Sequence, residues 1–383
     1  MDFFQNLVFL GRYVEGEPGR IVGPIAGLFG FVLDFLFNIV HAIHPVNSLG
    51  FAIILITIVF RGAMLPLTIK SQKSMMNMRK IQPELKKIDE KYGKSKDPEI
   101  MKKAQQEKTA LMAAHDANPL KGCLPMLLQM PLFVGLIYIM RQAFLYITTL
   151  RNIYQDLAEK IIAVPGIIGE SGAVGRLDEL CRPFISDGML QSGTQAGSYL
   201  QRYLDAGFSI EESFARAAEH VGEFIAIGYP PHLARVLNRF TSDTWNQLFD
   251  YIRTNAYDHY EAIVTLFNQR ADIETFFGLN LVENAGLGFP GIIVPILVAV
   301  TSFASAWLMN LRNYDPNADD KVKMQQRMML VIMPGMMAFI TITFPIAVGI
   351  YWIASQLFGV GQDLVLNYRA GVKFVLPFAK PKE

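Results

Sequence analysis

Leu49 to Ile69, LGFAIILITIVFRGAMLPLTI, decides how the rest of this chain is read. It has about the 20 residues that a helix needs to cross a bilayer, and Arg61 lies inside it. At a rise of about 1.5 Å per residue, Arg61 stands roughly 18 Å along the helix from Leu49, past mid-membrane and short of Lys70. An arginine near the centre of a span costs about 2.5–3.5 kcal/mol on insertion scales, so it normally faces a polar cavity or a partner. The alternative is that Arg61 snorkels to the nearer interface, aided by a kink at Pro66. The residue alone leaves both readings open.

The surroundings are those of a membrane protein. The chain has 383 residues, 51% of them hydrophobic, a mean hydropathy of +0.27 and a net charge of only +1. The apolar excess is clumped into spans, and the charge is distributed asymmetrically. The first residues lack a basic leader and a small-residue cleavage site, so no cleavable signal peptide is expected. Two cysteines, Cys123 and Cys181, offer no disulfide framework and are expected on opposite sides of the membrane.

Upstream, within a 1–48 segment expected outside the membrane, Pro24 to Ile43 is apolar but carries Asp34, Asn38 and His41 on one helical face. That pattern suits a helix lying in the interface, with a full extra span as the competing reading. Downstream of the first span (49–69), residues 70–121 are polar and helix-forming around a turn near Tyr92–Pro98. They read as an antiparallel helical hairpin with thirteen Lys/Arg against seven Asp/Glu, which places it in the cytoplasm. A basic surface beside a membrane also suits anionic lipid or RNA. A second span occupies 122–150, with Gln129 inside it. Residues 151–288 follow as an insert with amphipathic helical patterns, ten basic and eighteen acidic residues, expected outside as a small helical domain. Spans over 289–311, 328–344 and 346–366 complete the set, separated by a cytoplasmic loop (312–327) and ending in a basic cytoplasmic tail (367–383). Five spans with the N-terminus outside satisfy the charge distribution at each end.

Enzyme signatures fall away. Gly286–Gly291 spells GxGxxG, but it opens a span, contains a proline and lacks the acidic residue about 20 positions on that a dinucleotide site needs. Gly169–Gly172 (GESG) imitates a serine-protease motif without a histidine in a later span to act as base. No HExxH or other metal-ligand spacing is present, and no cofactor is expected.

Three blocks carry a more specific signal: FRGAMLPLTIKSQKSMMNMRKIQPELKKI (60–88), NPLKGCLPMLLQMPLFVGLIYIMR (118–141) and FPIAVGIYWIASQLFGVGQ (344–362). In this order, around a basic hairpin, they resemble the YidC family of membrane-protein insertases, whose relatives work in bacteria, mitochondria and chloroplasts. The resemblance covers roughly residues 45–150 and 289–370 and leaves the acidic insert unmatched. It implies an all-α membrane protein of the bacterial plasma membrane, with five transmembrane helices around a hydrophilic groove closed to the outside. A cytoplasmic hairpin, an N-terminal interfacial helix and a large extracytoplasmic helical insert complete that picture. It further implies a non-enzymatic insertase and chaperone that docks the polar segment of a client in the groove and releases its apolar helix into lipid, without nucleotide.

The residues that correspond to the family's groove and docking positions are Arg61, Gln129, Ser305, Tyr351 and Trp352. The hydrophobic slide corresponds to Leu124, Leu127, Leu128, Met328, Met329, Met333 and Met336, and the hairpin's basic face to Lys73, Arg79, Lys80, Lys86 and Lys87. The implied partners are nascent membrane proteins and the lipid bilayer. The ribosome, the signal recognition particle or its receptor, and the Sec channel are left open, as is a partner for 151–288. Gln356 stands where the family often has Asn, and Ser305 falls where relatives often place Gln. Two readings compete: a secondary transporter or channel that holds a small anion on Arg61, and a scaffold whose spans merely anchor the outer domain. The transporter lacks visible inverted repeats, and the scaffold leaves Arg61 without a purpose.

Overall fold

The computed structural model describes residues 22–93, 97–117, 129, 133–140, 143–168, 175–181, 183, 206–207, 230–313, 324 and 328–369. The side chains of Val22 to Ile25, Arg79 and Met329 lie outside this description. So do Leu124, Leu127 and Leu128, Cys123, the GESG stretch and residues 370–383. The chain is mostly helical, and it divides into two compact units: residues 1–32, 50–140 and 284–383, and residues 33–49 and 141–283.

In the first unit, the decisive stretch forms α2 (Ser48–Lys80), preceded in the chain by α1 (Val22–Ile43). No helix break falls near residue 70, where the sequence changes from apolar span to polar hairpin. α2 runs on for 33 residues, because SQKSMMNMRK contains no breaker and only residues that tolerate a helix. It stops at Ile81, just ahead of Pro83, which occupies the first turn of α3 (Gln82–Tyr92). α4 (Pro98–Ala114) returns, its start set by Pro98 and by Asp97, whose carboxylate accepts from Glu99 N at 2.9 Å. The two arms are laced by Lys91–Glu107 (3.0 Å) and by Lys108–Asp89. These are exposed pairs that set the register more than the stability. Ser74 Oγ donates to Asp116 O at 3.2 Å and so ties the hairpin's return to α2.

α11 (Ile293–Asn313) packs along α12 (Met333–Thr341) and α13 (Ile346–Arg369), with a π-helical turn (Met328–Ile332) before α12. Gly349 makes the close approach possible, since a Cβ there would collide with Val294 Cγ1. Ser305 Oγ lies 3.5 Å from where a Cβ on Gly359 would sit, so α11 and α13 run parallel in register. The GxGxxG stretch closes a tight loop: Ala285 N and Gly286 N donate to Phe344 O and Ile342 O, and Gly286 adopts φ +62°. Three described helical segments are long and apolar enough to cross a membrane: Ala26–Ile43, Ser48–Met78 and Ile293–Leu311. The protein is a multi-pass membrane protein.

The second unit is built on α6 (Thr148–Ile162), which follows the short α5 (Ala143–Tyr146). Its buried stripe, Leu150, Ile153, Tyr154, Leu157, Ala158 and Ile161, recurs at three- and one-residue steps, the pattern of one helical face. Against it pack α8 (Pro230–Leu237) and α10 (Tyr257–Glu274), with α9 (Ser242–Asn255) on α10 and α7 (Arg176–Cys181) on α9. A two-stranded hairpin, β1 (Thr275–Phe276) and β2 (Leu279–Asn280), turns through Phe277 and Gly278, both at positive φ. Asp34 accepts from Thr148 N (2.9 Å) and Thr148 Oγ1 (3.1 Å) and so caps α6. His41 meets Ser48 Oγ at 3.1 Å and stacks on Phe37. Two of the three polar residues that make α1 look interfacial therefore have protein partners.

At the centre of this unit is a buried polar cluster. Arg270, 6% exposed, stacks over Phe267 (4.5 Å) and Trp245 (4.9 Å). Its Nε stands 3.5 Å from Glu274 Oε2, and Nη1 donates to the Tyr154 hydroxyl at 3.4 Å. That hydroxyl in turn donates to Glu274 Oε1 at 2.9 Å. Burial pushes the Tyr154 phenol well above its ordinary range, with the Glu274 charge adding to it. Burial also raises the Glu274 carboxyl, against the pull of Arg270.

Candidate functional site

The site forms where α2 faces α13. Thr57, Arg61, Thr68 and Gln72 recur at steps of four, seven and four, which keeps them within about 60° of arc on α2. Thr57 is buried, with its hydroxyl turned back to Ile53 O (2.6 Å). Arg61 is half-buried and reaches across: Nε donates to Ser355 Oγ at 2.7 Å, and Nη2 donates to the same oxygen. Ser355 is 3% exposed. Among the described residues, no carboxylate lies within ion-pair distance of Arg61. A neutral hydroxyl can share only part of a guanidinium's five donors, so positive charge is left to act on whatever enters.

Tyr351, one turn before Ser355, is buried, and its hydroxyl interacts with Ser355 and Arg61 and receives Gln129 Nε2. Arg61, Gln129 and Tyr351 are thereby brought together around Ser355, a hydroxyl that the sequence motif contained without marking it as a site residue. Its signal was its position, one helical turn after Tyr351. Gln72 Nε2 donates to Asp363 Oδ1 at 3.4 Å farther along the same two helices. Because Arg61 and Gln72 meet Ser355 and Asp363 in the same order, α2 and α13 run parallel.

The remaining sequence-derived residues are placed differently. Trp352 lies in an aromatic cluster, stacked on Phe133 at 5.2 Å and edge-on to Phe344 at 6.1 Å, and it is 7% exposed. Ser305 stands beside Gly359 on the α11 side of α13. Met328, Met333 and Met336 are exposed, together with Val331, Ile332 and Phe339, so the π-turn and α12 present an apolar outer surface. Lys73, Lys80, Lys86 and Lys87 are exposed along the end of α2 and on α3. Among the described residues, no group of three or more His, Cys, Asp or Glu side chains is arranged to hold a metal.

The amino-acid sequence matches a known family. The family described as 60Kd inner membrane protein matches over residues 40–166 and 246–372, about two thirds of the chain. The chain belongs to that family, the YidC family. The match corrects the expected limits of the resemblance, because it continues through α6 and resumes within α9. Of the 151–288 insert, only 167–245 lies outside it. Membrane protein insertase YidC 1 of Bacillus anthracis is 44% identical over 111 residues, 29% of this chain and 43% of that relative. Membrane protein insertase MisCA of Bacillus subtilis (strain 168) is 47% identical over 89 residues, 23% of this chain and 34% of the relative. Membrane protein insertase YidC of Pseudoalteromonas atlantica is 37% identical over 161 residues, 35% of this chain and 29% of the relative. The matched stretch spans less than half the length of each of these relatives.

Proposed function

We propose that this protein is a membrane-protein insertase in which Arg61 docks the polar, acidic terminal segment of a client before the client's apolar helix passes into lipid. The observation that carries this reading is the pairing of Arg61 with a neutral hydroxyl between two membrane helices. A permanent cation held at membrane depth, without a carboxylate among the described residues, is costly unless it serves a ligand. The names of the relatives, all membrane protein insertases, supply the class of ligand. The apolar surface of the π-turn and α12 is where the client's span would slide, since methionine packs against varied shapes. Shortening the polar path lowers the cost of carrying a hydrophilic tail across, and burial of the client's apolar helix makes release downhill without nucleotide. In this scheme the N-terminus is outside, and the hairpin and tail face the cytoplasm.

The test uses purified protein in liposomes and a single-span client with an acidic N-terminal tail, scored by protection of the tail from protease. R61K should retain most of the protection, because charge matters here more than fork geometry. R61A should lose at least tenfold. Equal protection by Arg61 and R61A would end the docking role. Anion flux through vesicles that protect no client would favour a transporter instead.

A further inference from the structure

We propose that the GxGxxG stretch, GLGFPG (286–291), is a membrane wedge: Leu287 and Phe289 enter the lipid interface on the side of the bilayer where α11 begins. Leu287 is 72% exposed and Phe289 85% exposed. The glycines explain how they are presented. Gly286 takes a φ of +62°, and a Cβ on Gly291 would collide with Ala285 O, so the chain turns sharply at both ends of the stretch. The turn is also pinned. Ala285 N and Gly286 N donate to Phe344 O and Ile342 O at 3.1 and 3.0 Å, which caps carbonyls at the junction of α12 and α13. Asn284 forms an antiparallel bridge with Pro345 beside them. A fixed backbone therefore holds the two apolar side chains outward.

What the loop continues identifies lipid as the occupant. α11 is long and apolar enough to cross a membrane, and Ile293, Ile296, Leu297 and Val300 form an exposed apolar stripe along it. Phe289 stands one helical repeat ahead of Ile293, so the stripe runs off the helix end onto the loop. Phe339, 69% exposed, closes the outer face of α12 just before Ile342, whose carbonyl receives Gly286 N. Two exposed apolar stripes thus end at one turn. Glu283, one short step before the loop, is exposed, and its charge belongs in water. The water boundary therefore falls between Glu283 and Leu287. Irregular backbone is excluded from the hydrocarbon core, but the interface tolerates it. Gly288 O, Pro290 O and Gly291 O accept from Ile292, Ile293 and Val294 N, and Pro290 has no amide hydrogen to bury. The backbone rests at the headgroup–acyl boundary while the two side chains reach roughly 5 Å below it.

Nitroxide labels read the depth. They are placed singly at L287C and F289C in the whole chain carrying C123A and C181A, reconstituted in phosphatidylcholine nanodiscs. E90C, on the charged α3, is the aqueous reference, and V300C, on the exposed stripe of α11, is the lipid reference. Both loop labels should collide with oxygen as V300C does, and with a water-soluble nickel chelate about threefold less often than E90C. F289D should lift the loop and raise nickel access at L287C toward that of E90C. Nickel access at both loop labels equal to E90C in the parent would overturn the wedge. Nickel access at L287C unchanged by F289D would overturn the role of Phe289 in holding it down. Labels shielded from oxygen and nickel alike would also overturn the lipid assignment, in favour of a protein partner, either a second copy or a client.

Discussion

Arg61 and Arg270 belong to different units and keep opposite company. Arg270 has its charge compensated by a carboxylate one turn away, with a phenol that bridges the two groups and two aromatic faces around it. Arg61 has a serine hydroxyl and a nearby phenol. The contrast separates two uses of the same side chain. An arginine whose field is cancelled by its neighbours holds a domain together, whereas one whose field is left open can hold something else.

The comparison breaks first at Arg270. R270A leaves Glu274 buried beside a phenol and removes the filling between Trp245 and Phe267. It should destabilise the second unit by about 3–5 kcal/mol, read by chemical denaturation of the whole protein in detergent. Replacing the pair together, R270M with E274L, should recover most of that loss, since an apolar pair of similar volume carries no desolvation penalty. If the double variant is as unstable as R270A, the cluster's value lies in its hydrogen bonds and not in cancelled charge.

The comparison sharpens when Arg61 is given the company that Arg270 has. S355D places a carboxylate where the hydroxyl was. The fold should persist, while insertion of acidic-tailed clients falls at least tenfold, equivalent to about 1.4 kcal/mol of lost docking. A neutral-tailed client should be much less affected. Undiminished insertion of the acidic client by S355D would show that the open charge is not what the client uses. The smallest effect is expected at the edge of the second unit. D34A removes the acceptor for Thr148 N and Oγ1 at the start of α6 and should cost about 1 kcal/mol in the same denaturation measurement.

What the sequence revealed about these two arginines follows from how local their signals are. Arg61 was conspicuous because a charge within about 20 apolar residues has no bland local explanation. Its partner Ser355 lies 294 residues away, and nothing in a helical periodicity reports a meeting at that distance. Arg270 and Glu274 were written in the sequence as an ordinary i, i+4 pair, a pattern usually found on a solvated helix face. Only the packing of Tyr154 and Trp245 from two other helices makes it a core. The same limit explains the boundaries. The hairpin was expected from charge and from the turn before Pro98, and α3 and α4 lie on either side of that turn. The continuity of α2 past residue 70 was obscured because hydropathy changes there and helix propensity does not. The insert looked uniform by composition, yet the family match divides it at 166 and 246.

That continuity makes α2 a drive shaft. Its 33 residues extend about 50 Å, against a hydrocarbon core of about 30 Å, so the lysine-bearing end and Arg61 are parts of one rod. Pro66, one turn beyond Arg61, withholds the amide hydrogen that would bond Gly62 O, which makes the rod compliant to bending at that point. Rotation about the axis is still transmitted, because the backbone is unbroken. A load on the hairpin that only tilts it is absorbed at the proline. A load that twists it turns Arg61 relative to Ser355, and with it the direction in which the guanidinium faces.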